Sequence, residues 1–429
     1  MSIRYKKSEE LVERALRTIP LASQTFSKSI TQYPRGTSPL FISRGEGSRV
    51  WDVDGNEYID FVNGLLSVSL GYNDPDVNSA VQAQLKNGVI FSLPHVLEME
   101  VAEMLVEMVP CAEMVRFGKN GTDATSAAIR LARAFTGSEH ILICGYHGWQ
   151  DWYIGTTTRD LGVPECVKKL SHVFKYNDTE SLRILFEQYK NNVAAVIMEP
   201  MALEWPAPGF LESVKVLADE NGALLVFDEV ITGSRFAKGG AQKLFDVIPD
   251  LATFGKGIGN GFPISAILGR RDVMKKMEDI FFSGTNGGET LSLAAAKVVL
   301  NKLNTTDVIE KIKFVGEYLM QGVKKLISEY QLHDVIAIKG HPAWTGLIFS
   351  DASSFSANEI KTLFLQECYK EGILTIGTHN ISYAHSIDDV DYLLSVYNQV
   401  FSMLHESLNE GNLVELLETE PLDPLFKVR

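Results

Sequence analysis

Asp250-Leu251-Ala252-Thr253-Phe254-Gly255-Lys256-Gly257-Ile258-Gly259-Asn260-Gly261-Phe262-Pro263 follows Leu224-Leu225-Val226-Phe227-Asp228-Glu229-Val230, so that Lys256 stands twenty-eight residues after Asp228. Each stretch is a short apolar run, of the kind that forms a strand buried on both faces, and each ends in a polar group. This pattern predicts a carboxylate and an amine at neighbouring strand ends of one sheet. Taken singly, each half is ordinary. A lysine between glycines is commonly a turn residue, and Asp-Glu after a strand is commonly a helix cap or a solvated edge. Gly255-Lys256 is not a phosphate-binding P-loop, because Gly257 replaces the Ser/Thr metal ligand and Asp250 stands where the first glycine belongs.

The 429 residues, 45% hydrophobic, suit a globular enzyme of two domains with a sizeable core. Forty basic against 54 acidic side chains give a net charge of -14. That balance argues against nucleic acid or an anionic membrane as principal partner, since both demand concentrated positive charge. Cys111, Cys144, Cys166 and Cys368 form neither a disulfide framework nor a CxxC metal pattern, so reduced thiols and no metal site are expected. Met1-Ser2-Ile3-Arg4-Tyr5-Lys6-Lys7 has no apolar core after it, and no apolar run approaches the roughly 20 residues that span a bilayer. A cytoplasmic protein is expected.

Along the chain, residues 8–18 read as an amphipathic helix with Leu11, Ala15 and Leu16 on one side. Pro39-Leu40-Phe41-Ile42-Ser43 and Ser48-Arg49-Val50-Trp51-Asp52-Val53 flank a glycine turn, and Asp54-Gly55 leads into Tyr58-Ile59-Asp60-Phe61, predicting a small antiparallel sheet. Short β-rich runs then alternate with helical stretches. Residues 114–117, 141–144, 194–198, 224–227, 251–254 and 264–268 read as buried parallel strands, with helices over 124–135, 211–221 and 291–303. Beyond Asn304 come a long helical stretch to Tyr330, strands near 335–338 and 346–349, a helix over 357–371 and a final helix from Asp388.

Two further segments carry chemistry. Gly118-Lys119-Asn120-Gly121-Thr122-Asp123-Ala124 joins a strand to a helix through flexible residues and a hydroxyl, a turn able to aim free amides at a phosphate. Alone it reads more readily as an ordinary N-cap by Thr122 or Asp123. Tyr146-His147-Gly148-Trp149 follows the next strand, where Tyr146 can lie over a planar ring and Gly148 gives room. Joined in order with Asp228 and Lys256, these make four functions at strand ends of one sheet, where open α/β sheets bind ligands. Pyridoxal phosphate (PLP) needs this set: a lysine for its aldehyde, an acid for its pyridine nitrogen, a phosphate turn and a ring-stacking side chain.

The chain resembles the class III, fold-type I PLP-dependent aminotransferases, and within them the glutamate-1-semialdehyde aminomutase branch. The resemblance rests on Val50-Trp51-Asp52-Val53-Asp54-Gly55 with Tyr58-Ile59-Asp60, the phosphate turn with Ala128-Ile129-Arg130-Leu131-Ala132-Arg133, Tyr146-His147-Gly148, Glu199-Pro200, Phe227-Asp228-Glu229-Val230-Ile231-Thr232-Gly233, and the lysine loop. It implies an α/β fold: a large domain, 64–304, on a mainly parallel seven-stranded sheet, and a smaller α+β domain from both termini, 1–63 and 305–429. It further implies that Gly121 and Thr122 bind the phosphate, Tyr146 stacks on the ring, Val230 packs on its other face, Asp228 meets the pyridine nitrogen, and Lys256 forms the Schiff base and carries the proton. Ser283-Gly284-Thr285 is similar to the family segment whose threonine reaches the neighbouring subunit's phosphate, which implies a homodimer with shared sites.

Departures from the aminomutase pattern bear on the substrate. Lys28 stands near the place of an arginine that binds the substrate carboxylate, and lysine is the poorer bidentate clamp. Glu204 replaces an asparagine, Gly287-Gly288-Glu289-Thr290-Leu291 stands where many relatives have Gly-Asn-Pro, and the segment 375–385 is shorter and lacks an acidic residue. Glu204, Trp205, His379 and Asn380 suit a larger polar carbonyl substrate such as an oxidised sugar. The expected activity is transfer of an amino group from an amino-acid donor to an aldehyde or ketone. The alternatives are a 2,1-aminomutase using the same groups, with residues 155–163 as a closing lid in either case, and a catalytically silent binding subunit. Retention of both Asp228 and Lys256 counts against the last.

Overall fold

The computed structural model describes residues 3–352 and 354–423, which divide into two compact units. One comprises 3–66, 70–74 and 310–423; the other comprises 67–69 and 75–309. The first unit opens with the helix Lys6–Ala15 and a meander of β1 (Ile42–Glu46), β2 (Arg49–Asp52) and β3 (Glu57–Asp60). Strand β1 starts three residues after Pro39, which has no N–H to give a ladder.

The second unit is built on β4 (Met114–Gly118), β5 (His140–Cys144), β6 (Ser171–Val173), β7 (Val193–Met198), β8 (Leu224–Asp228), β9 (Leu251–Phe254) and β10 (Ser265–Gly269). Their spatial order is β4-β10-β9-β8-β7-β5-β6. Side chains alternate across this sheet with period two. Ile141, Ile143, Ala195, Ile197, Leu224 and Val226 join one apolar layer, while Leu142, Val196, Met198, Leu225 and Phe227 join the opposite one. The helix Gly121–Thr136 packs into the first layer with Leu131 and with Ala124, Ala127, Ala128 and Ala132, four alanines whose small side chains permit close approach to the strands.

Two sequence expectations need correction here. The run 264–268 forms a strand, but β10 is antiparallel to both β9 and β4. Only ten residues, 255–264, connect it to β9, too few for the crossover of a dozen or more that a parallel pair requires. The seventh strand, β6, lies outside the six runs read from the sequence; three residues at a sheet edge carry too little pattern to register.

The chain then completes the first unit. The helix Val308–Glu329 leads to β11 (Ile336–His341) and β12 (Trp344–Phe349), and the helix Ala357–Lys370 to β13 (Ile373–Leu374) and β14 (Thr378–Asn380). Strand β13 pairs parallel to β3, giving the sheet β1-β2-β3-β13, and β11-β12-β14 form a second sheet. A capping box at Ser386 and Asp389 starts the closing helix Ile387–Glu410.

Candidate active site

Strands β4, β5, β7, β8 and β9 all run the same way, and the residues just beyond their C-terminal ends line a cavity of about 350 Å³. Antiparallel β10 begins on that side, so Pro263 and Ile264 line it too. Of the residues singled out in the sequence, Gly121, Thr122, Tyr146, Asp228, Val230 and Lys256 all line this one cavity.

Asp228 ends β8 and is 5% exposed. Its Oδ2 lies 2.8 Å from His147 Nδ1, and its Oδ1 accepts from Val230 N at 3.1 Å and Thr253 Oγ1 at 3.2 Å. Three groups therefore fix the carboxylate's orientation. Lys256, two residues beyond β9, has φ 44. A left-handed backbone at a non-glycine residue costs about 1–3 kcal/mol, and such strain concentrates at functional sites.

The phosphate turn is shaped by close contacts. Asp123 Oδ2 accepts from the amides of Lys119 and Asn120, at 3.0 and 2.8 Å. The amides of Gly121 and Thr122, in the first helical turn, have no acceptor within the helix. Thr122 Oγ1 is buried and has no hydrogen-bond partner among the described residues. A Cβ at Gly121 would meet Val230 Cγ1 at 2.9 Å, and one at Gly148 would meet Thr122 Oγ1 at 2.5 Å. Both glycines let neighbouring segments close onto the turn.

Sequence reading missed the partnerships behind these groups. His147 lies inside Tyr146-His147-Gly148, and the sequence signal for it is a polar ring one residue from the aromatic one. Glu199 Oε2 accepts from Tyr146 N at 3.0 Å, anchoring the segment that carries the tyrosine ring. Glu289 caps the helix Thr290–Thr305 through Leu291 N and Ser292 N, and reaches Lys119 Nζ at 2.9 Å. Burial works to raise the Glu289 pKa, but the bonds from Ser292, Lys119 and the Leu291 amide outweigh it and hold the carboxyl below its ordinary range.

The remaining predicted residues do not line the cavity. Thr285 is exposed, as are Glu204 and Trp205, which Asn177 Nδ2 meets at Glu204 Oε1 and the Trp205 carbonyl. Lys28 is exposed on the short turn Phe26–Lys28. His379 and Asn380, expected to contact substrate, are both buried. His379 is fully buried, with Nδ1 2.9 Å from Thr345 Oγ1 and Nε2 2.9 Å from Tyr397 OH, so both ring nitrogens are committed to the core. Asn380 is 3% exposed and donates to the Val62 carbonyl at 2.7 Å.

The sequence model of the class-III aminotransferases matches residues 32–387. The chain belongs to the class-III aminotransferase family. Among its relatives, a glutamate-1-semialdehyde 2,1-aminomutase of Francisella philomiragia subsp. philomiragia is 38% identical over 349 residues, covering 76% of this chain and 79% of the relative. A 3-aminobutyryl-CoA aminotransferase of Cloacimonas acidaminovorans is 32% identical over 416 residues, covering 95% and 99%. The solved structure of the Sphingopyxis sp. MTA144 FumI protein in its PLP internal aldimine form superposes with a TM-score of 0.89 at 30% identity, covering 97% of this chain and 99% of that one. The family places the cavity on a fold-type I scaffold with a mostly parallel seven-stranded sheet.

Proposed function

We propose that this class-III aminotransferase uses PLP to move an amino group from an amino-acid donor to an aldehyde or ketone acceptor. The observation that carries the reading is that Lys256 and Asp228 share one cavity with the Gly121–Thr122 helix start and its unpartnered buried hydroxyl. These residues fit the cofactor. The first-turn amides and Thr122 Oγ1 suit its phosphate, Tyr146 and Val230 its ring faces, Asp228 its pyridine nitrogen, and Lys256 its aldehyde. When bound, PLP supplies a carbonyl that takes the amine and a ring that withdraws electrons from the reacting carbon.

The chain's own residues do the rest. Lys256 Nζ takes the proton from the donor carbon as general base and returns it as general acid. Asp228, oriented by His147, Thr253 and the Val230 amide, keeps a negative charge where a ring N–H needs it. Glu199 holds the backbone of Tyr146 and so the ring.

An oxidised sugar is our acceptor. It is supported by Trp149, which lines the cavity and is 66% exposed, a ring on which a sugar can stack. The 2,1-aminomutase is the second reading, favoured by the similarity to relatives of that name. The two differ in stoichiometry, since an aminomutase converts a single substrate without an external acceptor.

The reading includes a homodimer in which Thr285 serves the partner's site. Thr285 lines no part of its own chain's cavity, and Phe91, Leu93, Val96 and Met99 expose a run of large apolar side chains suited to an interface. It also includes residues 64–304 as the cofactor-binding domain, 1–63 with 305–429 as the small domain, and a cytoplasmic location. Among the described residues no helix is long and apolar enough to cross a membrane.

Borohydride reduction followed by peptide mass mapping tests the cofactor assignment. The phosphopyridoxyl adduct should sit on Lys256 and be absent from Lys256→Ala. An adduct on another lysine, or a protein that stays colourless with added PLP, overturns it.

A further inference from the structure

Among the described residues Lys119 is the one lysine or arginine at the phosphate-turn wall of the cavity, and Lys256 is the other that lines it. Its ammonium is already engaged. Glu289 Oε2 lies 2.9 Å away, the two side chains are 18% and 15% exposed, and the same carboxylate caps the helix Thr290–Thr305 through Leu291 N, Ser292 N and Ser292 Oγ. Glu289 is thus fixed at its own end by three donors, and the flexible lysine is the movable half of the pair. A phosphate arriving at the turn meets a compensated charge rather than a free one.

We propose that Glu289 is a positioning residue that competes for Lys119 and so lowers the affinity of the phosphate turn for a phosphate dianion, setting how tightly the cofactor is retained. This rests on the PLP reading above. It assigns work to Glu289 within the Gly287-Gly288-Glu289-Thr290-Leu291 departure. The glycine before the acid is part of the device, because a Cβ at Gly288 would lie 2.6 Å from Glu98 Oε1 on the neighbouring helix Val96–Met108. Charge is the lever: in a partly buried site, removing the competing carboxylate leaves an ammonium whose attraction for a dianion is weakly screened.

The two halves of the pair give opposite signs under this proposal. Glu289→Gln keeps a capping oxygen and frees Lys119, so cofactor-free protein should bind inorganic phosphate and PLP about three- to tenfold more tightly, with a steeper loss of affinity as salt rises. Lys119→Met leaves Glu289 facing the turn and should weaken both. The double variant should lose the gain. A pair that is merely structural predicts the same sign for both single lesions, because each breaks the same contact. Titration calorimetry with inorganic phosphate, and absorbance titration with PLP against pyridoxal, read the effect without turnover. Pyridoxal, lacking phosphate, should show no change. Unchanged or weaker phosphate binding by Glu289→Gln overturns the proposal, as does a gain that persists in the double variant. Wild-type protein that binds neither phosphate nor PLP overturns the cofactor reading instead.

Discussion

His147 Nδ1 stands 2.8 Å from Asp228 Oδ2, and both side chains are buried. The contact ties the segment after β5 to the end of β8, across β7. An Asp228 that is to hold a ring N–H needs a fixed carboxylate plane, and His147 fixes one oxygen while Val230 N and Thr253 Oγ1 hold the other.

Replacing His147 with phenylalanine should therefore reduce catalysis more than binding. The Asp228 oxygen would lose its buried partner, a loss of about 1–3 kcal/mol, or roughly ten- to a hundredfold in rate. Single-turnover conversion of bound PLP by an amino donor measures the rate, and absorbance titration measures PLP affinity. A wild-type rate in the variant would show that the imidazole only fills space.

Much of this site was legible in the sequence because its parts follow strand ends, and buried strands announce themselves as apolar runs. Lys256, Asp228, Tyr146 and the Gly121–Thr122 turn were found that way, and all line one cavity. What depended on contacts between distant segments was not legible. Nothing in the local sequence pairs His147 with Asp228, eighty-one residues on, or Lys119 with Glu289. The hydrogen-bond partners of His379 are hidden from the sequence for the same reason. A polar residue in a loop-like stretch looks available until Thr345 and Tyr397, from other elements, take both its nitrogens. The direction of β10 was readable from loop length, a cue the strand pattern overshadowed.

Gly148→Ala should strike the phosphate turn from outside it. Gly148 has φ +106, and an added Cβ would lie 2.5 Å from Thr122 Oγ1 and 2.7 Å from Thr122 Cβ. Gly137 is the matched control, with φ +72 and no atom within 4 Å of its would-be Cβ. Both alanines carry positive-φ strain, about 1 kcal/mol of stability by denaturant titration at Gly137 and more at Gly148, whose φ lies outside the left-handed well. Only Gly148→Ala should also weaken PLP binding, by about tenfold or more. Equal PLP affinities for the two variants would refute the close-contact argument.

Burial pushes the pKa of His379 down from its ordinary 6.5 to about 3. The native imidazole therefore stays neutral while the unfolded chain takes up a proton below 6.5. Its contribution to stability is complete above that pH and is lost as pH falls towards 3, by at most about 1.4 kcal/mol per pH unit. His379→Gln should start less stable, since it disturbs bonds to Thr345 and Tyr397, but its stability should fall less steeply between pH 6.5 and 4.5. Urea midpoints across that range are the measurement; parallel slopes for the two proteins would count against a neutral buried ring.

Thr285 offers the most direct test of a shared site. If each site draws Lys256 from one chain and Thr285 from the other, a heterodimer of a Lys256→Ala chain with a Thr285-disrupted chain holds both lesions in one site. The second site then combines the lysine of the Thr285 variant with the threonine of the Lys256 variant, and is intact. Activity should return on mixing two inactive homodimers, towards about a quarter of wild type if subunits reassort at random: half the dimers are mixed and each has one working site. If Thr285 serves its own chain, each site of the heterodimer carries one lesion and no activity returns. The threonine change must silence the enzyme by itself. Loss of one hydrogen bond to a charged phosphate costs only about 1.5–3 kcal/mol, so Thr285→Glu, which adds like charge, is preferable to alanine. Failure to recover activity in verified heterodimers would reject the cross-subunit role.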